Sequence, residues 1–315
     1  MADTGPRETE HTITVAAPAA AVYDLVADVS HWPSVFPPTL HAERVDGDDS
    51  QERIRIWATA NGTPKSWTSR RNLDPAGLRV TFRQEVSAHP VAAMGGAWII
   101  EPLAADRSRV RLLHDYRAVD DAPDALEWID RAVDRNSRTE LAALKASAEL
   151  AAGAEERTFT FEDAVRVNGP AKDVYDFLDE AARWPERLPH VARVALTEEA
   201  PGLQRLEMDT RAKDGSAHTT VSFRVCFPHH AIVYKQTTLP ALMTLHTGRW
   251  SLTEHADGST TAVSRHTVTI DTDRITDVLG PDADLAVARA RVRDALGTNS
   301  RATLELARAH AERNR

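Results

Sequence analysis

His31-Trp32-Pro33-Ser34-Val35-Phe36 is answered later in the chain by Arg183-Trp184-Pro185-Glu186-Arg187-Leu188. The reading of this doubled stretch decides the fold. Upstream of each Trp-Pro, over residues 20–29 and 171–182, apolar residues recur at helical spacing: Val22, Leu25, Val26 and Val29, then Val174, Phe177, Leu178 and Ala181. These predict short helices ending near Trp-Pro. Each is preceded by an Ala17-Pro18 or Gly169-Pro170 break and an alternating strand, residues 12–15 and 161–167.

Downstream of Trp-Pro the period changes from helical to two. Several strands are punctuated by Asp46-Gly47-Asp48, Asn61-Gly62, Asp74-Pro75-Ala76-Gly77, Asp214-Gly215 and Asp257-Gly258, which describes an antiparallel meander. Each copy closes on a long pattern rich in Ala, Leu, Arg and Glu, residues 124–151 and 282–313, predicting a helix.

The echo extends well beyond Trp-Pro. Gly62, Arg71, Trp98 and His114 return as Gly215, Arg224, Trp250 and His266, always 152 or 153 residues later. A period near half the 315 residues indicates a duplicated domain and not a solenoid of about 20–50-residue repeats. The closing helices share Asn136-Ser137-Arg138 and Asn299-Ser300-Arg301, where the offset has grown to 163. That places an insertion of about ten residues in the second copy, around residues 270–279. We expect domains at residues 1–153 and 154–315, with the linker at 153–157, where an Ala-rich helix runs out at Gly153. The fold class is α+β: two tandem helix-grip domains, each a curved antiparallel sheet wrapped around a long C-terminal helix with two short helices.

Composition narrows the function classes. The single cysteine, Cys226, excludes an intrachain disulfide and a cysteine zinc cluster and reads as a small filler on a strand. With no signal-like start and no run of about 18 apolar residues, the expectation is a cytoplasmic protein without a membrane partner. A formal charge of -9 argues against nucleic acid. His229-His230 and the scattered histidines lack ligand spacing, and Gly95-Gly96 reads as a bulge or close approach on a strand, so no metal or other cofactor is expected.

A sheet folded around one helix leaves an apolar cavity on its concave side. On the strand around Trp67, one parity holds Trp67, Ser69, Arg71 and Leu73 and is read as inward; Arg70 lies on the other. Inward, Arg71 is a permanent donor to a carbonyl or enolate oxygen; the competing reading is a surface ion pair. His114 shares a face with Val110, Leu112 and Tyr116, a setting for proton transfer near neutrality or for a hydrogen-bonded core histidine. In the second copy His266 lies in line with Val268 and Ile270. Arg224, however, shares its face with His218, Thr220, Ser222 and Cys226, opposite Val221, Phe223 and Val225. Either that pocket is polar and the greasy face packs elsewhere, or Arg224 points to solvent. Trp98 and Trp250 line pockets or pack in the core.

These residues together resemble the bacterial aromatic polyketide aromatase/cyclases of type II polyketide synthases, particularly their di-domain form, in the helix-grip or START/Bet v1-like superfamily. The resemblance covers both halves. It implies an enzyme that receives a poly-β-ketone from an acyl carrier protein, alongside other synthase components, and promotes first-ring aldol closure and dehydration, C7 to C12 of a C9-reduced chain. It further implies catalytic roles for Arg71 and His114, with Arg224 and His266 as secondary candidates. Trp32, Phe36, Trp67, Trp98, Tyr116 and Trp250 would contact substrate. The alternative is a non-catalytic carrier of a hydrophobic small molecule, a use the same fold permits.

Overall fold

The structure, a computed structural model, describes residues 6–60, 62–87, 89–211 and 217–313. Asn61, the Asp214-Gly215 turn and with it the Gly62/Gly215 echo lie outside them. The chain forms two compact units, residues 1–152 and 153–315.

In the first unit β1 (Arg7–Val15) leads into α1 (Ala19–Ala27), a single 3-10 turn and α2 (Trp32–Val35). The meander follows as β2 (Thr39–Gly47), β3 (Gln51–Ala60), β4 (Thr63–Asp74), β5 (Arg79–Val86), β6 (Val91–Ala104) and β7 (Arg107–Ala118), and α3 (Pro123–Arg157) closes the unit. The seven strands run in the order β1-β7-β6-β5-β4-β3-β2, every neighbouring pair antiparallel.

The second unit repeats this with β8 (Thr158–Val167), α4 (Ala171–Asp179), α5 (Trp184–Arg187), β9 (Val191–Ala200), β10 (Leu203–Arg211), β11 (Ala217–Phe227), β12 (Ala231–Thr238), β13 (Met243–Glu254) and β14 (Thr260–Ile270). A 3-10 turn at Thr272–Arg274 matches one at Val119–Asp121 in the first unit, and the insertion is α6 (Ile275–Leu279) with the segment after it, ahead of the closing helix α7 (Leu285–Arg313). Its sheet order, β8-β14-β13-β12-β11-β10-β9, is the same. Among the described residues no helix is long and apolar enough to cross a membrane.

Two differences from the sequence reading have physical reasons. β1 begins at Arg7, not near Thr12, because Arg7, Thr9 and His11 alternate with Glu8 and Glu10 without apolar residues. This edge strand is fixed by pairing to β7 and by ties from Arg7 to Asp130 and from His11 to Asp134 on α3. The expected linker is itself helical: α3 continues through Gly153 to Arg157, and β8 starts at once. One glycine costs a helix only about 1 kcal/mol, and Glu155-Glu156-Arg157 are good helix formers.

Each concave face is spanned by one row of cross-strand neighbours. In the first sheet it runs Glu52, Arg71, Phe82, Gly96, His114; in the second, Gln204, Arg224, Tyr234, Gly248, His266. The glycine lets the aromatic ring of the adjacent strand lie over it. A Cβ on Gly96 would sit 2.7 Å from Phe82 Cζ and 1.9 Å from the Leu113 carbonyl oxygen, and one on Gly248 would be 2.2 Å from the Tyr234 ring. Gly96→Ala is therefore expected to destabilise the protein by roughly 1–3 kcal/mol through overpacking, measured by urea denaturation.

The core of the first unit joins Val22 and Val26 of α1 to Trp98 and Leu112 of the sheet and to Leu141, Leu144 and Ala148 of α3. The second unit repeats it with Val174, Leu178, Trp250, Leu304 and Ala307. Trp250 thus serves in core packing.

Candidate active site

The first unit encloses a cavity of about 210 Å³ between sheet and α3. The strand parity holds: Trp67, Ser69 and Arg71 line it from β4, while Arg70 turns outward to Glu85 at 2.8 Å. Trp32, Phe36 and Trp98 supply aromatic wall, Trp32 edge-on to Phe36 at 5.5 Å and Phe36 5.9 Å from Trp98.

Arg71 is 1% exposed, so it is no surface arginine. Nη2 donates to the Ala27 carbonyl at the end of α1 (2.7 Å), Nε lies 3.2 Å from Glu52 Oε1, and the guanidinium stands 5.1 Å from the Trp32 ring. Trp32 in turn donates Nε1–H to the Val26 carbonyl at 3.1 Å. The Trp-Pro turn and the arginine recur together because one is the seat of the other. Burial pulls the guanidinium down to about 10, with Glu52 opposing the shift, so it stays cationic at neutrality. Nε faces Glu52, while Nη1 has no hydrogen-bond acceptor among the described residues. A buried donor in that condition awaits an oxygen.

His114 also borders the cavity, edge-on to Phe82 at 5.5 Å, and its buried Nδ1 has no partner among the described residues. Burial, reinforced by nearby His11, pushes it down to about 4. This corrects the expectation of titration near neutrality: His114 is neutral there. The group poised at neutrality is Glu140 of α3, which the sequence reading missed. It is only half-buried by area because it borders the cavity, yet desolvation raises its carboxyl to about 7. A signal existed, since Glu140 follows Ile129, Val133 and Ser137 at steps of four, four and three on the inward helical stripe.

Tyr116 does not reach the cavity. It is 1% exposed and its hydroxyl donates to Asp130 of α3 at 2.5 Å, so it clamps sheet to helix.

In the second unit Arg224 is 3% exposed and points inward, which removes the solvent alternative. Its Nη2 donates to the Leu178 carbonyl (2.8 Å) and Nη1 to that of Asp179 (3.5 Å), 5.4 Å from the Trp184 ring. The counter-charge has moved: Gln204 stands in the row where Glu52 stands, and Asp179 lies 3.8 Å from Arg224 Nη2 instead. Around His266 the polarity rises further. Its Nε2 meets Ser264 Oγ at 3.1 Å; its Nδ1 meets Tyr234 Oη at 3.1 Å and His246 Nε2 at 3.0 Å; His246 Nδ1 reaches Gln236 Oε1 at 2.9 Å. At the offset of 152 these replace Leu112, Phe82 and Met94, with Gln236 repeating Gln84. Subtraction of the offset at every pocket position would have found them. Cys226 is buried, and its thiol is pushed up to about 12, the pKa of an inert side chain.

A protein-family model described as "Polyketide cyclase / dehydrase and lipid transport" matches the chain twice, at residues 6–149 and 158–312. The granaticin polyketide synthase bifunctional cyclase/dehydratase of Streptomyces virginiae is 56% identical over 300 residues, covering 94% of this chain and 97% of that one. The actinorhodin polyketide synthase bifunctional cyclase/dehydratase of Streptomyces coelicolor is 46% identical over 321 residues, covering 99% of each. Among solved structures, the di-domain ARO/CYC BexL from the BE-7585A biosynthetic pathway superposes with a TM-score of 0.89 at 63% identity, covering 97% of this chain and 99% of that one.

Proposed function

We propose, since the chain belongs to the polyketide cyclase/dehydrase and lipid transport family and is a polyketide cyclase/dehydratase, that its first domain, residues 1–153, folds a carrier-bound poly-β-ketone in the cavity and closes and aromatises the first ring. The ring is C7 to C12 of a C9-reduced chain, the regiochemistry of the di-domain enzymes it resembles. The chain arrives on an acyl carrier protein within a cytoplasmic type II synthase. The second domain, residues 154–315, has Arg224 and His266 as secondary candidates.

The observation that carries this reading is the set of polar atoms in an aromatic cavity that have no partner among the described residues: Arg71 Nη1 and His114 Nδ1. Arg71 holds the oxygen of the accepting carbonyl and stabilises the alkoxide that forms as the carbon–carbon bond closes. The Glu140 carboxylate takes the proton of the acidic methylene and returns it to the alkoxide; in the dehydration Glu140 in its acid form delivers a proton to the departing hydroxyl while solvent water accepts the one the adjacent carbon loses. Neutral His114 hydrogen-bonds a second substrate oxygen. Trp32, Phe36, Trp67 and Trp98 set the fold of the chain, and since closure is intramolecular, such orientation supplies much of the acceleration.

The test is the pH dependence of aromatisation of a closed, hydrated ring, where Glu140 acts as acid. With its carboxyl at about 7, the acid form is present below that pH, so the wild-type rate is expected to fall as pH rises through 7. Glu140→Gln should lower the rate about 100-fold and abolish that limb. A variant that keeps both rate and profile would remove Glu140 from the mechanism.

A further inference from the structure

The shared Asn-Ser-Arg of the two closing helices has two different uses. In the second unit Ser300 Oγ donates to Asp163 Oδ2 of β8 at 2.9 Å and to the Gly297 carbonyl at 3.3 Å, while Arg301 holds Asp163 Oδ1 at 2.8 Å. This ties strand to helix. The first-unit position matching Asp163, at the offset of 152, is His11, which turns instead to Asp134 with Nε2 2.9 Å from Oδ1. Asp134 matches Gly297 at the helical offset of 163, where a Cβ would already lie 3.3 Å from Asp163 Oδ2. The tie has moved one turn along the helix and reversed its chemistry.

Ser137 is left over. It is 1% exposed, borders the cavity and has no hydrogen-bond partner for Oγ among the described residues. A helical serine ordinarily falls back on the carbonyl four residues earlier; this one does not. A buried hydroxyl without a partner costs stability, so the arrangement persists against the folding interest of the domain. It makes sense where a ligand completes it.

We infer that Ser137 is a substrate-binding residue on the helix wall of the first cavity, its hydroxyl donating to an oxygen of the acyl chain while Arg71 holds another from the sheet wall. The assignment rests on the proposed function in one respect, that the cavity receives an oxygen-bearing chain. It adds a selectivity: the preferred ligand carries oxygens toward both walls, as a chain of regularly spaced carbonyls does, and a hydrocarbon of the same outline is discriminated against.

Binding to the full-length protein tests this, read by quenching of the tryptophans that line the cavity. The probes are 1,3,8-trihydroxy-6-methylanthraquinone and 2-methylanthracene, alike in outline and different in oxygen content. Wild type is expected to prefer the oxygenated probe. Ser137→Ala should weaken that probe roughly tenfold, leave the hydrocarbon unchanged, and raise or preserve Tm, because an unsatisfied hydroxyl has gone. Ser137→Cys, close in size and a poor donor, should lose the same preference. Ser300→Ala, which breaks a made bond, should lower Tm. A fall in Tm for Ser137→Ala matching that of Ser300→Ala, or an unchanged affinity for the oxygenated probe, overturns the assignment of Ser137 alone. Wild type that binds neither probe overturns the reading of the cavity and this inference with it.

Discussion

Arg71→Ala is expected to reduce formation of the aromatised ring by about 100- to 1,000-fold, the usual consequence of removing one donor from an oxyanion site, and to destabilise the fold as well. The second effect follows from Glu52. That carboxylate is 7% exposed and 3.2 Å from the guanidinium, and removing one member of a buried pair costs about 3–5 kcal/mol by stranding the other charge. A single variant therefore confounds lost chemistry with lost structure. The second domain indicates the remedy, because Gln204 occupies the row position of Glu52. Arg71→Met combined with Glu52→Gln should recover most of the stability, measured by urea denaturation, and none of the activity, measured by product profiling in a reconstituted synthase. A well-folded double variant that makes the wild-type product at the wild-type rate would refute the role of Arg71.

The sequence disclosed the repeat and the strand parity because both are periodic. Trp67 and Arg71 face inward and Arg70 outward, as a period of two requires. Parity left β11 undecided for a reason visible in burial: Arg224 is 3% exposed on one face and Phe223 and Val225 are 6% and 3% exposed on the other. A strand covered on both sides does not announce which side faces its helix. Partners across the sheet were beyond reach, since Glu52 meets Arg71 only through the β3–β4 register. Tyr116 had the right face but the wrong depth, and its hydroxyl is taken by Asp130. Likewise the type of His114 suggested neutral-range titration, whereas its enclosure decides otherwise.

The second domain should be the more acid-sensitive one, since it buries two histidines, His246 and His266, where the first buries His114. His246 and His266 are 2% and 4% exposed, and burial pushes them down to about 3 and about 4; proximity to His266 adds to the shift of His246. In the unfolded chain each would bind a proton near pH 6.5. Between that value and the folded one the unfolded state carries more protons, so stability is complete above about pH 6.5 and is lost as pH falls toward 4, at about 1.4 kcal/mol per pH unit for each histidine. By pH 4 the pair accounts for a loss of roughly 3–6 kcal/mol, comparable to the total stability of many domains. The hydrogen-bonding partners are neutral: Tyr234, Ser264 and Gln236 satisfy uncharged imidazoles, and the one nearby anion that favours protonation of His266, Asp163, is outweighed by burial. His246→Met installs the residue found at the matching position of the first domain, Met94, and leaves Tyr234 to partner His266. It is expected to lose about 2–3 kcal/mol less stability than wild type between pH 7 and pH 4.5, read from urea denaturation at both values. Equal losses in the two proteins would show that His246 is not the group whose protonation opens the second domain.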